Sequence, residues 1–390
     1  MTANGTAKPK PLPYGRQSIS EDDIAAVSDV LRSDWLTTGP KVGEFEAAFA
    51  EAVGAKHAVA VSNGTAALHA AAYAAGVGEG DEAIVPPMTF AASANCIRYQ
   101  GGTVVFADVR GDTLCLDARE VEKALTARTR AIVTVDYAGQ PSDLDELMKL
   151  AEGRGCVVIE DAAHAIGATY KGRPVGSIAH LTTFSLHPVK QITTGEGGVV
   201  TTNDGELARK LRLFRNHGIT TDHREREKQG SWYYEMVDLG FNYRLTDFQC
   251  ALGISQLLRL PEWIGRRRAI AARYAAAFAD LRQLSLPAIL SDRQSAWHLY
   301  VVELNPDKLR ATRAEIFQEL RSRELFVNVH YIPVHLHPYY RQLGYYPGSF
   351  PVAEAAYERL ITLPLFPGMS DDDVDRVIAV VREVCAEHAR

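Results

Sequence analysis

Five short apolar or β-branched runs, at 82–85, 103–108, 131–135, 157–160 and 181–185, recur through the first half of the chain with helix-like segments such as 116–125 and 144–153 between them. Buried strands that alternate with amphipathic helices predict an α/β domain built on a largely parallel central sheet flanked by helices. In such a sheet, ligand chemistry belongs to the loops that leave the carboxyl ends of the strands.

The flanking pattern fits. Residues 1–13 read as a loose arm, and Ser20-Glu21-Asp22-Asp23 caps a helix carrying Ile24, Val27, Val30 and Leu31. A helix at 42–53 closes at Gly54, a strand at 58–61 runs into Ser62-Asn63-Gly64-Thr65, and an alanine-rich helix follows at 66–75. Beyond about Phe241 the texture changes. A helix at 245–258 is followed by Pro261, which can open a second helix at 262–281 because proline is tolerated at a first helical position. Strand signals at 298–304 and 325–330 then mix with helices near 312–323, 352–360 and 371–387. The expected division is 1–250, an arm plus a large domain, and 251–390, a connecting helix plus a smaller α+β domain, with the boundary somewhere in 245–285. No internal repeat or low-complexity segment is evident.

At 390 residues, 46% hydrophobic and 23% charged, the chain can bury a substantial core unaided. A net charge of −6 without a long basic run argues against nucleic acid or an anionic membrane as the main partner. The five scattered cysteines, Cys96, Cys115, Cys156, Cys250 and Cys385, form no C-x-x-C pair and suggest neither a disulfide framework nor a zinc knuckle. With a polar N-terminus and no membrane-length apolar run, a soluble cytoplasmic protein is expected.

Three strand exits carry chemistry. At Ser62-Asn63-Gly64-Thr65 a strand turns into a helix, whose unpaired first-turn N–H groups and hydroxyls can cup a phosphate, although such a turn also makes a good N-cap. It has neither the lysine of a P-loop nor the G-x-G-x-x-G dinucleotide fingerprint. The run Val157-Val158-Ile159-Glu160-Asp161-Ala162-Ala163-His164 ends an apolar strand in acids. Asp161 there is either a helix cap or the partner of a cation in the cleft. Lys190 follows the 181–185 strand, with Ser185 at its end and the flexible turn Gly195-Glu196-Gly197-Gly198 beyond. A lone lysine is most often a surface charge. A phosphate cup, an acid for a ring N–H and a lysine for an aldehyde are together the three handles of pyridoxal 5′-phosphate.

The stretches S-N-G-T-A-A-L, P-P-M-T-F, E-D-A-A-H-A-I-G, S-L-H-P-V-K-Q-I-T-T-G-E-G-G, R-N-H-G-I and G-F-N-Y-R-L-T-D occur in that order. Together they closely resemble the DegT family of nucleotide-sugar aminotransferases, of the fold-type I pyridoxal-phosphate superfamily, over nearly the whole chain. The resemblance implies that Lys190 is the Schiff-base lysine and Asp161 the partner of the pyridine nitrogen. It implies that Phe90 stacks on the cofactor ring, where Phe90 alone would be read as core. It puts Ser62, Gly64, Thr65 and Ser185 around the phosphate, and His164, where many relatives carry Gln, near the 3′-oxygen. Asn242 matches a residue lent across a homodimer interface to the neighbour's cofactor phosphate. Tyr14, Arg244, His330 and Tyr331 become sugar contacts. Some relatives replace the lysine with histidine and act as dehydratases; Lys190 is retained, which favours transamination.

The segments 13–19 and 135–139 look most like the aminotransferases of pseudaminic-acid synthesis. That implies L-glutamate as donor and a UDP-linked 4-keto-6-deoxy-N-acetylhexosamine as acceptor. Other 4-keto sugars, of the UDP-4-amino-arabinose, bacillosamine or perosamine routes, remain open, as does a pyridoxal-phosphate-binding regulator without turnover. An NAD-dependent oxidoreductase is disfavoured by the absent glycine fingerprint. His330, His335 and His337 lack the spacing and the completing ligand of a metal site, so no metal is expected. Arg266-Arg267-Arg268 reads as a solvated helix face, with pyrophosphate binding the alternative.

Overall fold

The protein is described by a computed structural model that covers residues 10–221, Arg226, Lys228 and 230–390. Its centre is a seven-stranded sheet in the spatial order His57–Val61, Gly198–Thr202, Leu181–Ser185, Val157–Asp161, Thr129–Val135, Glu82–Val85, Thr103–Phe106. Neighbours pair in parallel except at Gly198–Thr202, which runs antiparallel to both of its partners. Successive residues serve opposite faces. Val59, Val61, Ala131 and Val133 join one core with the helix Gly64–Ala74. Ile132 and Val158 meet Leu147 and Ala151 of Leu144–Glu152 on the other side, where Ala58, Ala60 and Val199 face Phe45 and Phe49 of Pro40–Val53. Coverage of both faces is why the runs are apolar at both parities, and it bears out the expected α/β class with a mostly parallel sheet.

The departures from expectation have local causes. The 103–108 run leaves the sheet at Phe106, and Asp108 instead accepts the N–H groups of Val352 and Ala353, at 2.9 and 3.0 Å, to open the helix Pro351–Tyr357. The glycine tail expected to be flexible is closely packed where it opens the antiparallel strand. A Cβ at Gly198 would lie 2.3 Å from the Asn63 carbonyl oxygen, and one at Gly197 would lie 2.1 Å from Thr194 Oγ1. No break occurs at Pro261, because a single helix, Asp247–Phe278, runs through it for 32 residues. An interior proline costs about 3 kcal/mol. Burial of Leu257, Leu260, Trp263 and Ile264 on either side of it, at ~1.5–3 kcal/mol per large apolar side chain, outweighs that cost.

Beyond this helix, Leu284–Ser285, Tyr300–Leu304 and Leu360–Leu363 form an antiparallel sheet with Tyr300–Leu304 central. The helices Arg313–Ser322 and Asp371–Glu387 pack on it around a separate core that contains Tyr274, Tyr300, Ile361 and Val377. The 325–330 strand shrinks to Leu325–Phe326, which pairs in parallel with Leu12–Pro13. The last residues of the expected loose arm are therefore docked, and its residues 1–9 lie outside the described residues. The 352–360 helix ends at Tyr357, and Leu360 already belongs to a strand. Among the described residues no helix is long and apolar enough to cross a membrane.

Pro261 is exposed, so its ring contributes little packing to set against the hydrogen bond it denies the helix. Pro261→Ala should therefore stabilise the fold by about 1–3 kcal/mol, read as a higher urea midpoint at unchanged slope. A lower midpoint would contradict this account of the helix.

Candidate active site

A cavity of about 590 Å³ opens at the carboxyl ends of the sheet strands and gathers most of the expected residues, Lys190, Asp161, His164, Phe90, Gly64, Thr65, Ser185, Tyr14, His330 and Tyr331 among them. Asp161 ends the strand Val157–Asp161 and is buried. Its Oδ2 accepts from Ser93 Oγ at 2.6 Å and its Oδ1 from the Ala163 N–H at 3.1 Å. Thr89 Oγ1 lies 2.7 Å from the same Ser93 hydroxyl, so a short hydrogen-bonded chain fixes the carboxylate. Burial pushes Asp161 above the usual carboxylate range, while Ser93, the Ala163 N–H and the Lys190 charge pull it back.

Lys190 lies one strand over, in the connection between Leu181–Ser185 and Gly198–Thr202. That connection is tied down at several points. Leu186 donates to the Gly197 carbonyl at 2.8 Å and receives Thr194 N–H and Thr193 Oγ1 on its own carbonyl at 3.1 and 2.9 Å. Burial lowers the Lys190 ammonium to about 8, with the Asp161 charge opposing.

At the third exit Asn63 caps the helix Gly64–Ala74, its Oδ1 accepting from Ala66 N at 2.8 Å. Gly64 and Thr65 line the cavity as the first helical residues, whose N–H groups have no partner within a helix. A Cβ at Gly64 would sit 2.9 Å from Ser185 Cβ, so only glycine lets the two loops meet. Ser62 is not part of this cup. Its N–H goes to the Tyr243 carbonyl at 2.8 Å, and Asn63 lines the cavity in its place.

Apart from Glu196, the wall opposite Lys190 is built largely of aromatic rings. His164 Nε2 lies 3.0 Å from the Tyr331 hydroxyl, and its ring centre lies 4.3 Å from that of His298. His330 Nδ1 contacts Thr362 Oγ1 at 2.8 Å, and Tyr14 packs 5.0 Å from the His330 ring. Burial first and the Lys190 charge second hold His164 and His298 well below the ordinary histidine value and His330 at about 4. These imidazoles are neutral, each with one N–H to donate and one ring nitrogen to accept. Phe90 is 62% exposed and lines the cavity, so it is not the core residue that its type alone suggests.

Two expected residues lie elsewhere. Asn242 is exposed and pairs through its backbone with Asn216, whose side-chain oxygen accepts from Arg244 Nη1 at 2.7 Å; neither Asn242 nor Arg244 lines the cavity of its own chain. The histidines weighed as metal ligands are separated, since His335 Nε2 engages Glu354 Oε1 at 2.9 Å while His330 holds Thr362. Sequence reasoning missed Asn63, Ser93, His298 and Asn328. His298 stood at the head of a recognised strand signal, but nothing in the sequence ties Ser93 to Asp161.

The three handles suit pyridoxal phosphate. A helix N-terminus receives a dianion, a buried carboxylate receives a cationic ring N–H, and an amine with a lowered pKa receives an aldehyde. The Gly64 cradle and the partnerless Nδ1 of buried His164 are consistent with a ligand that reaches both sides of the cavity.

Comparison with known proteins gives the same picture. Residues 17–382 match the DegT/DnrJ/EryC1/StrS aminotransferase family. The spore coat polysaccharide biosynthesis protein SpsC of Bacillus subtilis is 46% identical over 376 residues, 96% of this chain and 97% of that protein. The protein Spr1654 of Streptococcus pneumoniae, in its PMP form, is 35% identical with a TM-score of 0.91, over 96% of this chain and 99% of that one. Its PLP form gives 0.90. Helicobacter pylori PseC, an aminotransferase involved in the biosynthesis of pseudoaminic acid, is 32% identical with a TM-score of 0.90, over 97% of this chain and 100% of that one.

Because the Asp161 charge opposes the burial of Lys190, Asp161→Asn should move the amine below about 8. Carbon-13 NMR of the reductively methylated lysine in cofactor-free protein would report it. A value unchanged or returning toward 10.5 would contradict the electrostatic reading.

Proposed function

The chain belongs to the DegT/DnrJ/EryC1/StrS aminotransferase family, and from that premise we propose that it moves the amino group of L-glutamate to C4 of a UDP-linked 4-keto-6-deoxy-N-acetylhexosamine. The products are UDP-4-amino-4,6-dideoxy-N-acetyl-β-L-altrosamine and 2-oxoglutarate. That the protein is a sugar aminotransferase on the type I fold with pyridoxal phosphate as cofactor follows from the family and from the PLP and PMP forms of its structural neighbour. The observation that carries the mechanism is the shared cavity of Lys190, Asp161 and the Gly64 helix terminus.

Bound pyridoxal phosphate supplies an electron sink for the carbanion formed when the amino-bearing carbon loses its proton. Lys190 would hold it through its amine and, when freed by the incoming amine, would serve as the base that takes the proton from the donor Cα. An amine whose pKa has fallen to about 8 has a substantial neutral fraction near that pH and can act as this base. Asp161 would keep the ring nitrogen protonated. Gly64, Thr65 and Ser185 would hold the phosphate, Phe90 would cover a face of the ring, and His164 would attend the 3′-oxygen. Tyr14, His330 and Tyr331 contact the sugar. Water would release 2-oxoglutarate, and the keto sugar would then receive the amine with Lys190 returning the proton in the opposite direction.

Asn242 and Arg244 enter this reading through a homodimer in which each copy completes the other's site. The neighbouring stretch supports that reading, with Trp232 85% and Leu239 73% exposed beside Tyr233, Met236 and Val237. The chain is taken as two units, 1–250 and 251–390, with the arm docked on the second. Five buried, unpaired cysteines suit a reducing cytoplasm.

The sugar assignment rests on PseC as a structural neighbour and on Tyr14, from the 13–19 segment, lining the cavity. The higher identity to SpsC favours, as second reading, another 4-keto nucleotide sugar of a surface polysaccharide. A panel of 4-keto UDP-, TDP- and GDP-sugars with glutamate, scored by product mass and C4 configuration, separates the two. The UDP-N-acetyl sugar should react fastest, and preference for a TDP- or GDP-sugar would overturn the assignment. Lys190→Ala should reduce turnover by more than about 10³-fold. Wild-type protein whose spectrum does not change with glutamate would instead indicate a regulator.

A further inference from the structure

The arginine run expected to be a solvated helix face fans inward from the long helix. Arg266 Nη2 donates to the Met369 carbonyl at 2.8 Å and to Asp371 Oδ1 at 2.9 Å. Arg268 reaches the Ser295 and Gly167 carbonyls at 3.2 and 3.3 Å. Arg267 between them is completely buried. Its Nη1 alone contacts three carbonyls, those of Trp297, His298 and Leu365, at 3.2, 3.3 and 3.0 Å. Among the described residues its Nε and Nη2 have no partner, and no carboxylate pairs with it.

For stability this is a poor arrangement. A buried guanidinium without a counter-ion is among the costliest groups a core can hold, and an apolar side chain of similar volume would fill the space at lower cost. What the arginine does join is informative. His298, next to Trp297, lines the cavity and packs on His164, while Leu365 N–H donates to the carbonyl of Tyr14 at 3.0 Å. Two cavity-lining side chains, His298 and Tyr14, come from segments far apart in sequence and are tied to one guanidinium. Arg268 extends the tie to Gly167, three residues beyond His164.

We propose that Arg267 is a positioning residue that fixes the His298 wall of the cavity relative to Tyr14 and so sets the alignment of the acceptor sugar with Lys190. This rests on the sugar-transaminase reading above. A second consequence concerns charge. The groups around His298 are Lys190, Arg267 and the neutral His164 and His330, and burial first, with the Lys190 and Arg267 charges after it, keeps its imidazole neutral. Removing the Arg267 charge therefore makes His298 easier to protonate.

Two variants of the holoenzyme separate geometry from charge. Arg267→Lys keeps the charge, but its side chain is one bond shorter and its ammonium stops short of the three carbonyls that Nη1 reaches, so it should raise KM for the sugar about tenfold, leaving the glutamate half-reaction, the cofactor spectrum and the acid limb of the pH profile close to wild type. Arg267→Met should show the same KM rise with the acid limb displaced to higher pH. Wild-type KM in Arg267→Lys overturns the proposal, whatever the thermal stability of either variant. If Arg267→Met does not fold, Arg267→Lys decides alone. Absence of transamination in the unaltered enzyme would defeat the underlying reading instead, and the wild-type control reveals that separately.

Discussion

The placement of an amine and a carboxylate in one cavity, each felt by the other's charge, is the constraint on which the rest of the structure depends. Each group alone is expensive to remove from water, and each partly offsets the cost of the other. Burial lowers Lys190 while Asp161 resists, and burial raises Asp161 while Ser93, the Ala163 N–H and Lys190 resist. The sheet makes the placement possible. Val157–Asp161 and Leu181–Ser185 are adjacent and parallel, with Asp161 opposite Thr183, so the loops that carry both groups leave the same edge.

The sequence displayed much of this because parallel strands buried on both faces must be written in apolar residues, and the chemistry sits directly after them. Lys190, Asp161, Gly64 and Thr65 were legible for that reason. A strand-to-helix turn does not reveal which of two adjacent polar residues faces the cavity; Asn63, the helix cap, lines it and Ser62 does not. Ser93 was invisible, since only the packing of a helix start against a strand end brings its hydroxyl to Asp161. Pro261 misled because local propensity was weighed without the tertiary core on both sides of it. The buried Arg267 was misread for a related reason. Three consecutive arginines look solvated until a helix thirty-two residues long carries them into the junction between two cores.

The far wall of the cavity differs in kind from the Lys190 side. His164, His298 and His330 are neutral, and with Tyr14, Tyr331 and Asn328 they offer hydrogen bonds without net charge, which suits a polyhydroxylated ring. These residues come from separate loops, held in register by backbone carbonyl contacts rather than by one strand. On the proposed reading, the clamping of those loops governs the fit of the sugar, and the sheet places the groups that serve the cofactor.

Borohydride reduction of the purified holoenzyme followed by peptide mass mapping tests the central claim most directly. The account predicts a phosphopyridoxyl group on the peptide that contains Lys190 and on no other lysine. A label located at a different lysine, or no label on a protein that visibly carries the cofactor, would contradict it.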